Sequence, residues 1–409
     1  MTESLQTKPL QGIRLIDLTH MLSGPYAAMI LADLGCDTVK VEPPGSGEGT
    51  RRLLENDPKF SIHGMGAYFF TLNRNKRSVA IDLKSEAGRE FFYELVKAAD
   101  VVLDNFSAGV TARLGIDHDT LAAVNPRIVT CSVTGFGEAG PRFQRPAFDQ
   151  IVQGLGGGMS ITGKGPGDAV RAGIPIGDLG GGMFAVMGVQ AALLARERTG
   201  RGQHVDISML DVQISLLNYM ATMYSMSGEI PEPIGNSHFV HTPYNTFETA
   251  DDTIIIAVIG DRFWPPLVEL VDIDALRDPR FATADVRLEH KTFIEGLIED
   301  KLKTNTAEHW LAALEAARIP CARVNNLEQA LNDPQVRFRE MVVDLEHPRG
   351  GHAEVPGNPI KLSVDSANAY TAPPLLGAHT VDVFREWTDV DDARLEQGLS
   401  TGAIAQGDT

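Results

Sequence analysis

Gly-Ile-Arg-Leu-Ile-Asp-Leu-Thr-His-Met-Leu-Ser-Gly-Pro-Tyr-Ala-Ala-Met-Ile-Leu-Ala-Asp-Leu-Gly-Cys-Asp-Thr-Val-Lys-Val, residues 12–41, is the stretch that decides the fold. Ile13, Leu15, Ile16 and Leu18 give 12–18 the short apolar run of a buried strand. Ser23-Gly24-Pro25 then opens a helix, since proline in a first turn forfeits no hydrogen bond. Gly35 stops that helix, and 38–41 supplies the next strand of a βαβ unit. The pattern continues outward with a strand at 78–82, a helix at 86–98 and strands at 100–103 and 127–133. A buried helix at 182–196 and a strand at 204–208 follow. Such alternation predicts an α/β chain with a Rossmann-like large domain on a mainly parallel sheet. The first strand is followed by Thr-His-Met-Leu-Ser-Gly-Pro rather than G-x-G-x-x-G, so a nicotinamide dinucleotide is not expected.

A Pro, Gly and Asn cluster at 228–244 marks a boundary. Beyond it, a β-branched strand at 253–258 and helices at 263–271, 291–302 and 307–317 predict a smaller α+β domain. The expected division is 1–225 for the N-terminal part of the large domain and 226–340 for the small domain. Residues 341–409 are expected to return to the large one. Residues 208–225 read as one helix whose methionines fill core. From 354 onward the chain reads as extended and loop, with a frayed end at 401–409.

Composition narrows the function classes. With 36 basic against 54 acidic residues the net charge is −18, which argues against nucleic acid as a partner. No apolar run suggests a membrane span. The first residues lack a basic region and an apolar core, so no secretory signal is expected. Cys36, Cys131 and Cys321 are too scattered for a disulfide framework or a metal knuckle, and a cytoplasmic setting is expected. No metal site is expected, and no tightly bound cofactor. A local basic patch for a small phosphorylated ligand is available from Arg51, Arg52, Arg74, Lys76, Arg77, Lys84 and Arg113; such charges also serve as solvated faces.

The segment Gly-Ile-Pro-Ile-Gly-Asp-Leu-Gly-Gly-Gly, 173–182, places Asp178 at the head of a long apolar stretch. An ionised group there needs a partner or a function. Two readings stand: Asp178 is a nucleophile beside a bare glycine backbone, or it is the N-cap of the following helix.

Ordered segments throughout the chain bear on that choice. They include Asp-Leu-Thr-His-Met-Leu-Ser-Gly-Pro at 17–25, Asn-Arg-Asn-Lys-Arg-Ser at 73–78, Asp-Asn-Phe-Ser-Ala-Gly at 104–109 and Ser-Val-Thr-Gly-Phe-Gly at 132–137. Arg-Pro-Ala-Phe-Asp at 145–149, the Asp178 segment, Arg-Glu-Arg-Thr-Gly-Arg-Gly-Gln at 196–203 and Ala-Pro-Pro-Leu-Leu-Gly-Ala-His-Thr at 372–380 complete the series. Together they resemble the family III CoA-transferases, the CaiB/BaiF group that includes formyl-CoA transferase. The resemblance implies an interlocked-ring homodimer with its site between large and small domains. It implies Asp178 as the catalytic aspartate, and coenzyme A as substrate rather than as a bound cofactor. CoA contacts would fall on Leu22, Ser23, Ile81 to Lys84, Asn105, Phe106, Ser107 and Arg113. One family basic residue corresponds here to Pro43, which shifts phosphate binding toward Lys84, Arg113 or the Arg51 and Arg52 pair.

The implied reaction passes CoA between two carboxylic acids through an aspartyl mixed anhydride and an aspartyl-CoA thioester. The Gly180 to Gly182 amides are candidate oxyanion donors, and glycines at 154–158 and 180–182 suit close backbone crossings. The glycine run of the formyl-CoA enzyme has no counterpart between 228 and 260, so succinyl-CoA and a short dicarboxylate are expected in place of oxalate or formate. His238 and His241 could meet an acceptor carboxylate; ordinary loop histidines are the plainer reading. The alternative is an α-methylacyl-CoA racemase, which carries Gly-His-Asp where this chain has Ala-Phe-Asp at 147–149. Phe148 cannot exchange a proton. Asp149 reads either as a carboxylate that positions the site or as a helix cap.

Overall fold

The structure, a computed structural model, describes residues 8–364 and 370–408. The opening residues 1–7 and the last residue of the expected frayed end, Thr409, lie outside the described residues. The chain forms two compact units, one from Met1–Gly158, Arg171–Ser227 and Arg337–Thr409, the other from Met159–Val170 and Gly228–Val336. The second unit thus takes 159–170 out of the stretch that the sequence assigns to the first.

The first unit is built on β1 (Arg14–Asp17), β2 (Asp37–Glu42), β3 (Lys76–Ile81), β4 (Val101–Asp104), β5 (Val129–Thr134) and β6 (His204–Ser208). These strands are all parallel, and with the terminal strand β12 (Ile404–Ala405) the order is β12-β3-β2-β1-β4-β5-β6. The chain steps outward from β1 to β3, then returns to the other side of β1 for β4. A crevice opens at such a switch point, at the carboxyl ends of the strands. Alternate residues face opposite layers. Ile16, Val39, Val79 and Val102 pack with Phe92 and Leu95 of α3 (Glu86–Ala98). Leu15, Leu103, Val129 and Cys131 pack with Leu31 of α1 (Ser23–Asp33) and with Ala185 and Val189 of α7 (Ile176–Thr199).

Helix α7 begins six residues before the expected start at 182. The glycines are contact points inside it, not a loop. A Cβ on Gly180 would stand 2.8 Å from Val212, one on Gly181 3.2 Å from Met209 and Val133, and one on Gly182 2.6 Å from the Ser23 carbonyl oxygen. The helix backbone thus lies against side chains at Gly180 and Gly181 and against backbone at Gly182. By length and composition α7 could cross a membrane, but Gly180, Ala185, Val189 and Leu193 are buried in the unit's core layer.

Two further expectations change. Residues 208–225 are two helices, α8 (Met209–Leu217) and α9 (Tyr219–Ser227), broken where Asn218 takes φ of 48°. Met209 is core as expected, but α9 buries none of its residues and Met223 and Met226 are exposed. The C-terminal region is not extended: helices span Thr380–Trp387 and Asp392–Thr401. Val383, Phe384, Trp387 and Leu395 enter the core, and Ile404 pairs with Ile81 on the sheet edge. The expected fray was a misreading, because burial on an existing sheet holds a segment that is polar on average.

The second unit carries β7 (Tyr244–Glu248), β8 (Thr253–Ala257) and β9 (Cys321–Arg323) in an antiparallel sheet ordered β9-β8-β7. Helices Trp264–Val271, Lys291–Leu302 and Ala307–Ala316 cover a core of Phe247, Ile254, Ile256, Phe281, Ile298 and Trp310.

Candidate active site

Asp178 is the third residue of α7, whose N-cap position is Pro175, so the N-cap reading of Asp178 fails. The cap comes instead from α6 (Asp149–Leu155). The Asp149 carboxylate accepts from the amides of Gly177 at 2.8 Å and Asp178 at 3.3 Å. Its other oxygen accepts from Gln153 at 2.7 Å, and Gln153 in turn holds the Ala172 amide at 2.9 Å. Both sequence readings of Asp149 therefore merge: it caps a helix, and that helix is the one carrying Asp178. Because Gly180 to Gly182 lie inside α7, their amides serve intrahelical bonds. They are not the oxyanion donors that the sequence suggested; the expected close backbone crossing is found at Gly182, against the Ser23 carbonyl of α1.

Burial first, and then the neighbouring charge of Asp149, pushes the Asp178 carboxyl up to about 6. The group is half-buried, and no Lys, Arg or His among the described residues contributes to its field. It is therefore an ion of raised energy that still ionises at neutral pH. The Tyr68 phenol, in α2 (Ala67–Leu72), is raised to about 12 by burial and by the charges of Asp178, Glu48 and Asp149. Sequence reasoning missed Tyr68 and Glu48. Tyr68 precedes two core phenylalanines and carries no local mark of chemistry.

The expected CoA positions gather at the carboxyl edge of adjacent strands. Leu22 and Ser23 follow β1, Pro43 follows β2, Lys84 follows β3, and Asn105 to Ser107 follow β4. Helix α1 starts without a side-chain cap, and among the described residues no acceptor holds the amides of Ser23 or Gly24. The Ser23 carbonyl meets α7 at Gly182, one turn beyond Asp178 and on the same helix face. Asn105 ties the preceding loop, accepting from the His20 amide at 2.9 Å and donating to the His20 carbonyl at 2.7 Å. Its side chain is thus committed to protein. Phe106 packs against His20 with tilted rings whose centroids are 5.5 Å apart. The Ile81 side chain is buried in the core, which leaves it no surface for a ligand.

Ion pairs within the fold take up most of the basic patch. Arg51 is bidentate to Glu42, Arg74 to Asp33 and Arg77 to Asp37, while Lys76 meets Asp17 at 2.9 Å. Arg51 is therefore not a free phosphate ligand. Of the seven cations, Arg52, Lys84 and Arg113 form no ion pair among the described residues. Lys84 and Arg113 are exposed, Arg113 in α4 (Val110–Leu114).

The CoA-transferase family III model matches residues 10–380. The chain belongs to the family III CoA-transferases. It is 38% identical over 401 residues to the succinate–glutarate CoA-transferase of Agrobacterium fabrum, covering 96% of this chain and 99% of that one. It is 37% identical over 368 residues to the acetyl-CoA:oxalate CoA-transferase of Acetobacter aceti, covering 89% and 92%. The crystal structure of a CAIB/BAIF family protein from Brucella suis superposes with a TM-score of 0.81 at 34% identity, covering 93% of this chain and all of that one.

In this CoA-transferase Phe148 is 68% exposed and carries no proton, so the racemase reading is not favoured. His238 of the second unit accepts at Nδ1 from the amides of Val240 and His241, stacks on His241 and meets the Tyr244 ring at a tilt. Burial, then His241 and Lys291, lower it, as for an ordinary loop histidine kept neutral. Among the described residues no cluster of His, Cys, Asp and Glu could hold a metal ion.

Proposed function

We propose that this protein moves coenzyme A from succinyl-CoA to a small dicarboxylic acid, with Asp178 as the covalent relay. The supporting observation is a carboxylate of raised pKa at a capped helix start, facing no cation among the described residues. An Asp178 oxygen attacks the thioester carbonyl carbon, the C–S bond breaks, and the thiolate leaves an acyl-aspartyl anhydride. The thiolate attacks the aspartyl carbonyl and expels the donor acid, leaving an aspartyl-CoA thioester. The acceptor carboxylate repeats the sequence in reverse and regenerates Asp178. The unoccupied amides of Ser23 and Gly24 suit the oxyanions, replacing Gly180 to Gly182 in that role. Lys84, Arg113 and Arg52 suit the CoA phosphates. The glutarate named for the Agrobacterium relative supports a longer dicarboxylate, and the missing glycine run argues against oxalate, although a relative named for oxalate is nearly as similar.

The proposal includes a homodimer. Helix α9 buries nothing within its chain, and Met187, Leu194, Ile214 and Tyr224 expose apolar surface on α7, α8 and α9. Exposed apolar side chains on three neighbouring helices support an interface with a second copy of the chain. Hydroxylamine added during turnover with succinyl-CoA tests the chemistry: mass mapping is expected to find Asp178 converted to its hydroxamate. A label on any other residue would overturn the assignment.

A further inference from the structure

Glu48 stands outside every role given so far. It precedes the short 3-10 turn Gly49–Arg52, yet its side chain does not cap that turn. The residue is 7% exposed, and both of its carboxyl oxygens are buried. No donor reaches either of its oxygens with full hydrogen-bond geometry among the described residues; burial raises its pKa, and Lys40 with the amides of Thr50 and Met21 offsets only part of that. The neighbouring Thr50 hydroxyl is buried without a partner as well. Leaving a buried carboxyl short of partners destabilises a fold, and such groups call for a functional reason.

The surroundings supply one. Lys40 and Glu42 of β2, Lys76 of β3 and Tyr68 of α2 all act on or feel Glu48. Met21, the residue whose amide faces it, has φ of 62°, a left-handed conformation that methionine rarely adopts. The loop from Thr19 to Ser23 is already held on two sides. The Lys40 ammonium donates to the Thr19 carbonyl at 2.7 Å, and Asn105 holds both polar groups of His20. The Glu48 carboxyl adds a weaker influence on the same loop at the Met21 amide.

We propose that Glu48 is a positioning residue: by closing on the Met21 amide it fixes the strained corner from which the Ser23 and Gly24 amides serve acyl transfer at Asp178. This inference rests on the reading of Asp178 as the nucleophile. A bond that is loose in the free chain and tightens as the oxyanion forms acts on kcat rather than on KM.

The test compares full-length Glu48→Ala, Glu48→Gln and Asp178→Ala with the parent protein, using succinyl-CoA and glutarate. Parent activity that Asp178→Ala abolishes secures the underlying reading. Glu48→Ala is then expected to lower kcat by roughly 10- to 100-fold, the scale set by loss of oxyanion or supporting contacts. The KM for succinyl-CoA should stay within about threefold, as for a contact made chiefly in the transition state. The melting temperature should not fall, because an under-partnered buried acid is removed, and Glu48→Gln should recover part of the rate through its remaining acceptor oxygen. An unchanged kcat overturns the proposal, and so does a kcat that falls together with melting temperature and is not recovered by Gln. A parent that exchanges no CoA with any acid overturns both readings.

Discussion

Asp17 at the end of β1 and Asp178 in the first turn of α7 are both shielded from water, yet their carboxyl pKa values move in opposite directions. Asp17 is fully buried, 2.9 Å from the Lys76 ammonium and 3.7 Å from that of Lys40, and it accepts from Thr19. Burial alone would raise its pKa; the two ammonium groups override that and hold it below the ordinary range. Asp178 is less buried but meets only another carboxylate, and it rises to about 6. The partner, not the depth, separates a structural carboxylate from a reactive one.

The largest expected effect is Asp178→Ala, which should lower CoA exchange by at least about 1,000-fold, as for other covalent nucleophiles. Exchange that survives it would erase the contrast. Asp17→Asn should leave the Asp178 chemistry in place but cost about 3–5 kcal/mol of stability, because Lys40 and Lys76 lose their buried counter-ion. Denaturant unfolding measures this, and a loss well under 1 kcal/mol would show Asp17 to be no anchor.

Removing the Asp178 charge should have the opposite sign. Its folded pKa lies above the usual aspartate value, so the folded state holds its proton longer than the unfolded chain. Stability then falls as pH rises from about 4 to 6. Asp178→Asn should therefore stabilise the protein by about 1–2 kcal/mol at pH 8 and by nothing at pH 4, after allowance for the partial exposure of the group. Melting curves at the two pH values decide it, and equal shifts at both would refute the sign. Asp149→Asn should move the acidic limb of the kcat/KM profile to lower pH by less than about one unit, since one like charge is lost while a capping oxygen remains. A limb that stays in place would deny that Asp149 raises Asp178. Smallest of all, Lys84→Ala should raise the KM for the CoA donor about two- to fivefold, more at low salt than at high, as expected for an exposed phosphate contact. No salt dependence would remove Lys84 from the phosphate site.

Much of the frame was legible beforehand because its signals are local. Apolar runs at 12–18 and 127–133, Pro25 at a helix start and the helix at 86–98 each report on neighbours within a few residues, and the structure places strands and helices there. Gly180 to Gly182 misled for the same reason. Three glycines resemble a loop, yet each exists to admit Val212, Met209 or the Ser23 carbonyl from elsewhere in the chain. The C-terminal helices misled too, since their core partners lie some 300 residues earlier, as the Arg394 to Glu94 pair illustrates.

By itself, then, the sequence determined the order of strands and helices and pointed to Asp178 as the acid that needs a partner or a function. Which charges cancel was decided only in three dimensions. Arg74 finds Asp33 across 41 residues and Arg51 finds Glu42, while Asp178 finds no cation in its chain among the described residues. Local periodicity carries the first kind of information, because it is fixed by residues in covalent reach. Neutralisation carries the second, because it acts through space between side chains that only the folded sheet brings together.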